Sequence, residues 1–227
     1  SLFYKYFKAY GMTELTGIDL PGEAAAIYHA EEKMGPVQLA SEGFGQTFRI
    51  TPIQLITAMA TSANGGSYIK PHMINQILDA DGNIVQNVEP VVERQVISAE
   101  TSAAVREMLE SVVSNGGGKN AYVAGYRVAG KTGTSQKIDK KDAAGNVTDV
   151  IASFCGFAPA DDPKVAVLVM LDEPHVPITF GGTIAAPVAG QIFADILPHM
   201  GIEPQYTEDE YASLDTATPN VVGSSVS

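Results

Sequence analysis

The link Ala160-Asp161-Asp162-Pro163 constrains this chain most, because it joins two β-rich runs, 150–158 and 164–171, with almost nothing between them. A parallel pair needs a crossover of a dozen or more residues, so these runs must be antiparallel neighbours. A third β-rich run, 126–135, precedes them, and Val188, Ile192, Phe193, Ile196 and Leu197 follow at helical spacing. Three β-rich runs in succession, followed by a helical stripe, predict three adjacent antiparallel strands with a helix over 184–200 packed across them.

The stretch before the sheet reads mainly as helices and one hairpin. Leu2, Phe3, Tyr6, Phe7 and Tyr10 recur at helical spacing and Gly11 is the stop. The segment up to about Gly45 gives little local signal. Thr51-Pro52-Ile53-Gln54 carries a threonine N-cap, a proline at the first helical position and a glutamine that completes a capping box. The expected buried face of that helix is Ile53, Ile56, Met59 and Ala60, and Asn64-Gly65-Gly66 ends it. The Asp79-Ala80-Asp81-Gly82 turn predicts a hairpin over 73–88. Ser98 caps a further helix with Val105, Met108, Leu109 and Val112 on one stripe.

Net charge is −12 over 227 residues, which argues against nucleic-acid binding through a broad basic surface. No apolar run approaches the ~20 residues of a membrane helix, and the start Ser1-Leu2-Phe3-Tyr4-Lys5 does not read as a signal peptide. Cys155 is the only cysteine. It sits in an apolar run, where a buried, inert thiol is expected. His29, His72, His175 and His199 are scattered and make no zinc pattern.

The chemistry concentrates in Val128-Ala129-Gly130-Lys131-Thr132-Gly133-Thr134. As a strand, the run places Thr132 and Thr134 on one face and Lys131 and Gly133 on the other. An ammonium beside paired hydroxyls suits a carboxylate, backbone N–H groups at Gly133 or Thr134 suit an oxyanion, and a glycine in a strand marks close approach. A second pattern overlaps it. Gly125 to Thr132 matches the phosphate-binding loop of P-loop NTPases, with Asp172 and Glu173 after a later strand as magnesium-holding candidates. That loop needs a buried strand before Gly125 and a helix starting at Lys131-Thr132, yet Gly133 and a polar stretch without helical period follow. The strand reading is therefore preferred, and Asp172 and Glu173 read as strand-end and turn residues.

Lys131-Thr132-Gly133-Thr134 resembles the third motif of the penicillin-recognising serine enzymes. Gly17-Ile18-Asp19-Leu20-Pro21-Gly22-Glu23 is similar to a loop of class B penicillin-binding proteins. Gly43-Phe44-Gly45-Gln46, Ile50-Thr51-Pro52-Ile53-Gln54-Leu55, Ser153-Phe154-Cys155-Gly156-Phe157-Ala158-Pro159 and Gly181-Gly182-Thr183 continue the likeness in order across about 1–200. The resemblance implies the C-terminal part (1–202) of a transpeptidase domain in the α+β penicillin-binding protein/serine β-lactamase-like fold, an antiparallel sheet flanked by helices. An acidic linker (203–217) and the start of a PASTA-like wall-binding module (218–227) follow, the latter resting on Pro219-Asn220-Val221-Val222-Gly223.

The implied activity is a peptidoglycan D,D-transpeptidase. A serine attacks the D-Ala-D-Ala end of a stem peptide, D-Ala leaves, and the acyl group passes to an amine of a neighbouring stem. Lys131, Thr132, Gly133 and Thr134 would bind the substrate, with Lys131 and Thr134 closest to the chemistry and the Thr134 N–H in the oxyanion hole. The implied partners are stem peptides, β-lactams and other cell-wall synthesis proteins. No cofactor is implied, and the implied location is the extracytoplasmic face of the bacterial membrane, with an anchor in preceding sequence. The family's Ser-x-x-Lys and Ser-x-Asn motifs lie upstream of the Gly17–Glu23 loop, so this chain alone is expected to form no acyl adduct. Ser67-Tyr68-Ile69-Lys70 and Ser62-Ala63-Asn64 imitate them in the wrong order, and Pro71 disfavours a helix at Lys70. A non-catalytic wall-binding module is the other alternative.

Overall fold

The computed structural model describes residues 1–138 and 140–211, so the expected module start at 218–227 and the end of the linker lie outside the described residues. Three strands, β5 (Ala129–Gln136), β6 (Val150–Ala158) and β7 (Val165–Asp172), form one antiparallel sheet in the order β5-β6-β7. The short Asp161-Asp162-Pro163 link makes β6 and β7 antiparallel neighbours, as expected. Before β5 the chain runs through α1 (Leu2–Ala9), α2 (Pro36–Gly43), α3 (Pro52–Ala63), β1 (Ser67–Lys70), β2 (Gln76–Leu78), β3 (Ile84–Asn87), β4 (Val91–Gln95) and α4 (Ala99–Ser114). After β7 come the short α5 (Gly181–Ile184) and α6 (Ala186–His199).

Helices cover both faces of the sheet. Phe154 of β6 is fully buried among Val128, Ala185, Ala189, Phe193 and Leu197, which seats α6 on one face. On the other face Ala129 and Phe157 meet Ala63 and Ala160, with Met59 of α3 and Leu109 of α4 closing over them. Apolar side chains leave water on both sides of β6, which makes it the centre of the fold.

The first strand starts later than the sequence suggests. Gly125 (φ +79°) and Arg127 (φ +44°) occupy the left-handed region, so regular pairing begins only at Ala129. The Arg127 guanidinium donates to Glu110 on α4 at 2.8 Å, and its carbonyl accepts from Ala160 N at 2.9 Å.

The capping box at α3 forms as expected: Thr51 Oγ1 accepts from Gln54 N, and Gln54 Oε1 accepts from Thr51 N at 2.8 Å. The buried face of that helix differs. Gln54, Thr57, Ala58, Thr61 and Ala63 are the buried positions, whereas Ile53, Ile56, Met59 and Ala60 are half-buried. Gln54 is buried because its amide also donates to the carbonyls of Gly11 (3.2 Å) and Glu14 (2.8 Å), which satisfies orphan groups of the preceding loop. On α1 only Phe7 is buried, against Phe3, Tyr28 and Phe48; Leu2 stays 69% exposed and Tyr6 is exposed. On α4, Met108 is 66% exposed and off the stripe, because Ser102 and Val113 form the buried edge.

Two elements carry no local signal and were not expected, α2 and the β1–β4 pair. In the latter Ser67 lies opposite Gln95 and Lys70 opposite Val91, with an irregularity after Tyr68. The chain from 203 to 211 packs back on the loop before β5. Gln205 N donates to Gly125 O at 2.7 Å, Tyr122 and Gly125 donate to the Glu210 carboxylate, and Pro204 and Tyr206 close over Gly125. Burial raises the pKa of Glu210, but hydrogen bonds from Thr207, Tyr122 and Gly125 outweigh it and bring it down to about 2. Burial, and then this carboxylate, push the Tyr122 phenol up to about 12.

Candidate functional site

The candidate site is the outer edge of β5, the strand that carries Lys131-Thr132-Gly133-Thr134. In an antiparallel ladder the N–H and C=O of one residue point to the same side, and successive residues alternate sides. Arg127 O accepts from Ala160 N, and Lys137 N donates to Asp149 O. Odd-numbered residues of this stretch therefore turn their backbone groups to β6. The backbone groups of Thr132 and Thr134 turn outward, to an edge on which no further strand is paired among the described residues.

Both outward carbonyls are covered by donors. Lys131 Nζ donates to Thr132 O at 2.7 Å, and Gln46 Nε2 donates to Thr134 O at 3.4 Å. What the edge still offers is an exposed ammonium, outward N–H groups and two hydroxyls. Thr134 Oγ1 accepts from Gly181 N at 3.1 Å, which leaves its proton free to donate elsewhere. Such an edge is a donor surface suited to a carboxylate and a developing oxyanion.

Glycines allow this edge to be built. A Cβ at Gly133 would lie 2.6 Å from Ser153 Oγ, the side chain directly opposite on β6. A Cβ at Gly181 would run into the carbonyls of Gly133 and Ser153, so the start of α5 sits directly on the sheet. Gly133 thus has a neighbour within the fold. The close approach read from the sequence is made, at least in part, by Ser153. Asn120 Nδ2 ties down the next turn by donating to Gly182 O at 2.7 Å.

The competing sequence patterns come apart. β5 runs straight through Lys131 and Thr132, so no helix starts there and the P-loop geometry is not formed. Lys137 reaches Asp172 (2.6 Å) and Glu173 (2.7 Å), and Lys140 also reaches Glu173. These two ammonium groups hold the Glu173 pKa down at about 2. Ser67 and Lys70 lie in strand β1, where residues three apart face opposite sides. Ser67 Oγ donates to Gln95 Oε1, Ser62 Oγ to Ala58 O, and Asn64 Nδ2 to Ser67 O at 2.9 Å. Cys155, opposite Lys131, is buried, and desolvation pushes its thiol up to about 12, which keeps it protonated and inert.

Sequence reasoning assigned no role to Gln46, Ser153 or the Gly181 N–H. Nor did it find the partner of His29, whose Nδ1 lies 2.9 Å from Oε1 of the buried Glu42. Gln46, Ser153 and Gly181 fall inside the quoted family segments, the only signal that marked them.

Comparison with known proteins places these features in a family. Residues 1–194 match the model of the penicillin binding protein transpeptidase domain. The chain is 46% identical over 230 residues to stage V sporulation protein D of Bacillus subtilis, covering 99% of this chain and 35% of that protein. It is 31% identical over 199 residues to peptidoglycan D,D-transpeptidase FtsI of Escherichia coli K12, covering 87% and 32% respectively. It thus spans about a third of the length of these relatives. Among solved structures, penicillin binding protein 3 of Mycobacterium tuberculosis complexed with ampicillin superposes with a TM-score of 0.78 at 27% identity, over 91% of this chain and 47% of that one.

Proposed function

The chain belongs to the penicillin-binding protein transpeptidase domain family, class B, and on that premise we propose that it supplies the substrate-binding strand of a peptidoglycan D,D-transpeptidase. The observation that carries the proposal is the outer edge of β5, where the exposed Lys131 ammonium stands beside the outward backbone groups of Thr132 and Thr134 and donates to Thr132 O. A stem peptide ending in D-Ala-D-Ala brings one permanent carboxylate and one carbonyl that becomes an oxyanion. Lys131 and the hydroxyls of Thr132 and Thr134 hold the carboxylate, and the outward N–H of Thr134 receives the oxyanion.

The reaction then runs in two balanced steps. A serine oxygen bonds to the penultimate D-Ala carbonyl as the C–N bond breaks and D-Ala leaves with a proton. An amine of a second stem next displaces the serine, forming a new amide. The serine and its lysine are not among the groups that this chain brings to β5. A β-lactam offers the same carboxylate and a strained carbonyl, and the ampicillin complex of the Mycobacterium tuberculosis relative supports it as a second ligand. The cell-wall substrate puts the reaction on the outer face of the membrane. Among the described residues no helix is long and apolar enough to cross one; a membrane anchor and contacts with other wall-synthesis proteins are further parts of this proposal.

Lys131→Ala in the full-length enzyme tests the assignment. A charge-assisted contact is worth roughly 1.5–3 kcal/mol, so the second-order rate of acylation by labelled penicillin should fall about tenfold to a hundredfold. The melting temperature should stay put, because Lys131 is exposed. Wild-type acylation in this variant overturns the proposal.

A further inference from the structure

We propose that Gln46 is a positioning residue for this reaction: it holds the Thr134 peptide edge so that the Thr134 N–H stays aimed at the substrate. The inference rests on the function proposed above.

Gln46 comes from a loop 88 residues away in sequence, yet its amide donates to the outward carbonyl of Thr134. Because the N–H and C=O of one strand residue share a side, a donor fixed on the Thr134 carbonyl also fixes the direction of its N–H.

The loop is built to present this side chain. Gly45 (φ +89°) and Thr47 (φ +68°) flank Gln46 in the left-handed region, and a threonine there is strained. Local bonds hold the arrangement. Gln46 N donates to Ser41 O at 3.0 Å, Gly45 N donates to Glu42 O at 3.0 Å, and the hydroxyls of Ser41 and Thr47 lie 3.1 Å apart. The helix behind the loop is pinned in turn by Glu42, buried against His29. A strained turn, braced from below and delivering one amide to one carbonyl of the binding strand, is poorly explained as a generic surface loop. Thr134 is then held at two points, its carbonyl by Gln46 and its hydroxyl by Gly181 N.

Two variants in the full-length protein, measured beside Lys131→Ala, decide the matter. Gln46→Met keeps the bulk and removes the donor. It should slow the acylation step about fivefold, the worth of one neutral hydrogen bond, while the affinity of the initial non-covalent penicillin complex and the melting temperature are unchanged. Gln46→Glu should match that loss at about pH 8, where the introduced carboxylate has no proton to donate. It should recover relative to wild type as the pH is lowered to about 5, where protonation begins to restore an O–H donor facing the Thr134 carbonyl. Wild-type acylation in Gln46→Met, with Lys131→Ala impaired, overturns this inference alone. A Gln46→Glu deficit that does not change with pH also overturns it, since a merely structural tie predicts that result. Wild-type rates in Lys131→Ala remove the underlying function as well.

Discussion

The molecule uses one turn twice, with opposite results. Asp79-Ala80-Asp81-Gly82-Asn83 closes β2 on β3, and Asp142-Ala143-Ala144-Gly145-Asn146 lies in the connection from β5 to β6. In each, aspartate Oδ1 accepts the N–H groups two and four residues on at 2.8–2.9 Å, and the asparagine amide donates to Oδ2. In each, the glycine takes a left-handed φ, +85° or +86°. Every residue of β2 and β3 is nevertheless exposed, whereas β6 holds several fully buried side chains, Phe154 and Phe157 among them. Turn chemistry thus sets local register in both places, and burial alone decides which pair becomes a core.

The comparison breaks most visibly at Phe154. Phe154→Ala removes a fully buried ring beneath α6 and should cost ~3–5 kcal/mol, read as a large fall in the melting temperature of the domain. A small fall would mean that the sheet, like the hairpin, is held by its turns.

A middle-sized effect separates the turns themselves. Asp79→Ala should raise amide exchange across β2–β3 by about tenfold or more, because a two-stranded hairpin is marginal without its turn. Asp142→Ala should leave β5–β6 protected. Acid should mimic this. Hydrogen bonds from the Asn83 side chain and backbone hold the Asp79 pKa below its usual value, and bonds from the Asn146 backbone and side chain do the same for Asp142. A depressed carboxylate stabilises fully above its unfolded value of ~3.9 and loses that contribution as the pH falls through the lower folded value. In that window β2–β3 should open first. Simultaneous opening of both pairs would erase the distinction.

The smallest effect is expected at Ile84, which is 56% exposed in β3. Ile84→Ala should change stability by no more than ~0.5 kcal/mol in thermal melts. A loss as large as that of Phe154→Ala would reveal a hidden core under the hairpin.

What was legible in the sequence was local. The box at Thr51 and Gln54, the cap at Ser98 and the turn at Asp79 each need only residues a few positions apart, and all three form. The antiparallel pairing of β6 with β7 was legible because the link between them is too short for a crossover. Contacts between distant residues were not. Gln54 reads as one half of a capping box, and nothing near it announces the carbonyls of Gly11 and Glu14. Lys70 gives no sign of pairing opposite Val91. At the site, the sequence placed Lys131 and the two threonines on their proper faces by alternation. It left out Gln46, Gly181 and Ser153, which meet that strand only once the chain has folded.

The seating of the 203–211 segment on the loop before β5 has a mechanical consequence. A pull on the chain at residue 211 reaches Glu210 and Gln205 before it reaches α6, and both are bonded to Gly125, with Tyr122 sharing the load on Glu210. Gly125 lies just ahead of the strand that carries Lys131. Tension applied from the C-terminal side is therefore delivered to the root of β5, and α6 is bypassed.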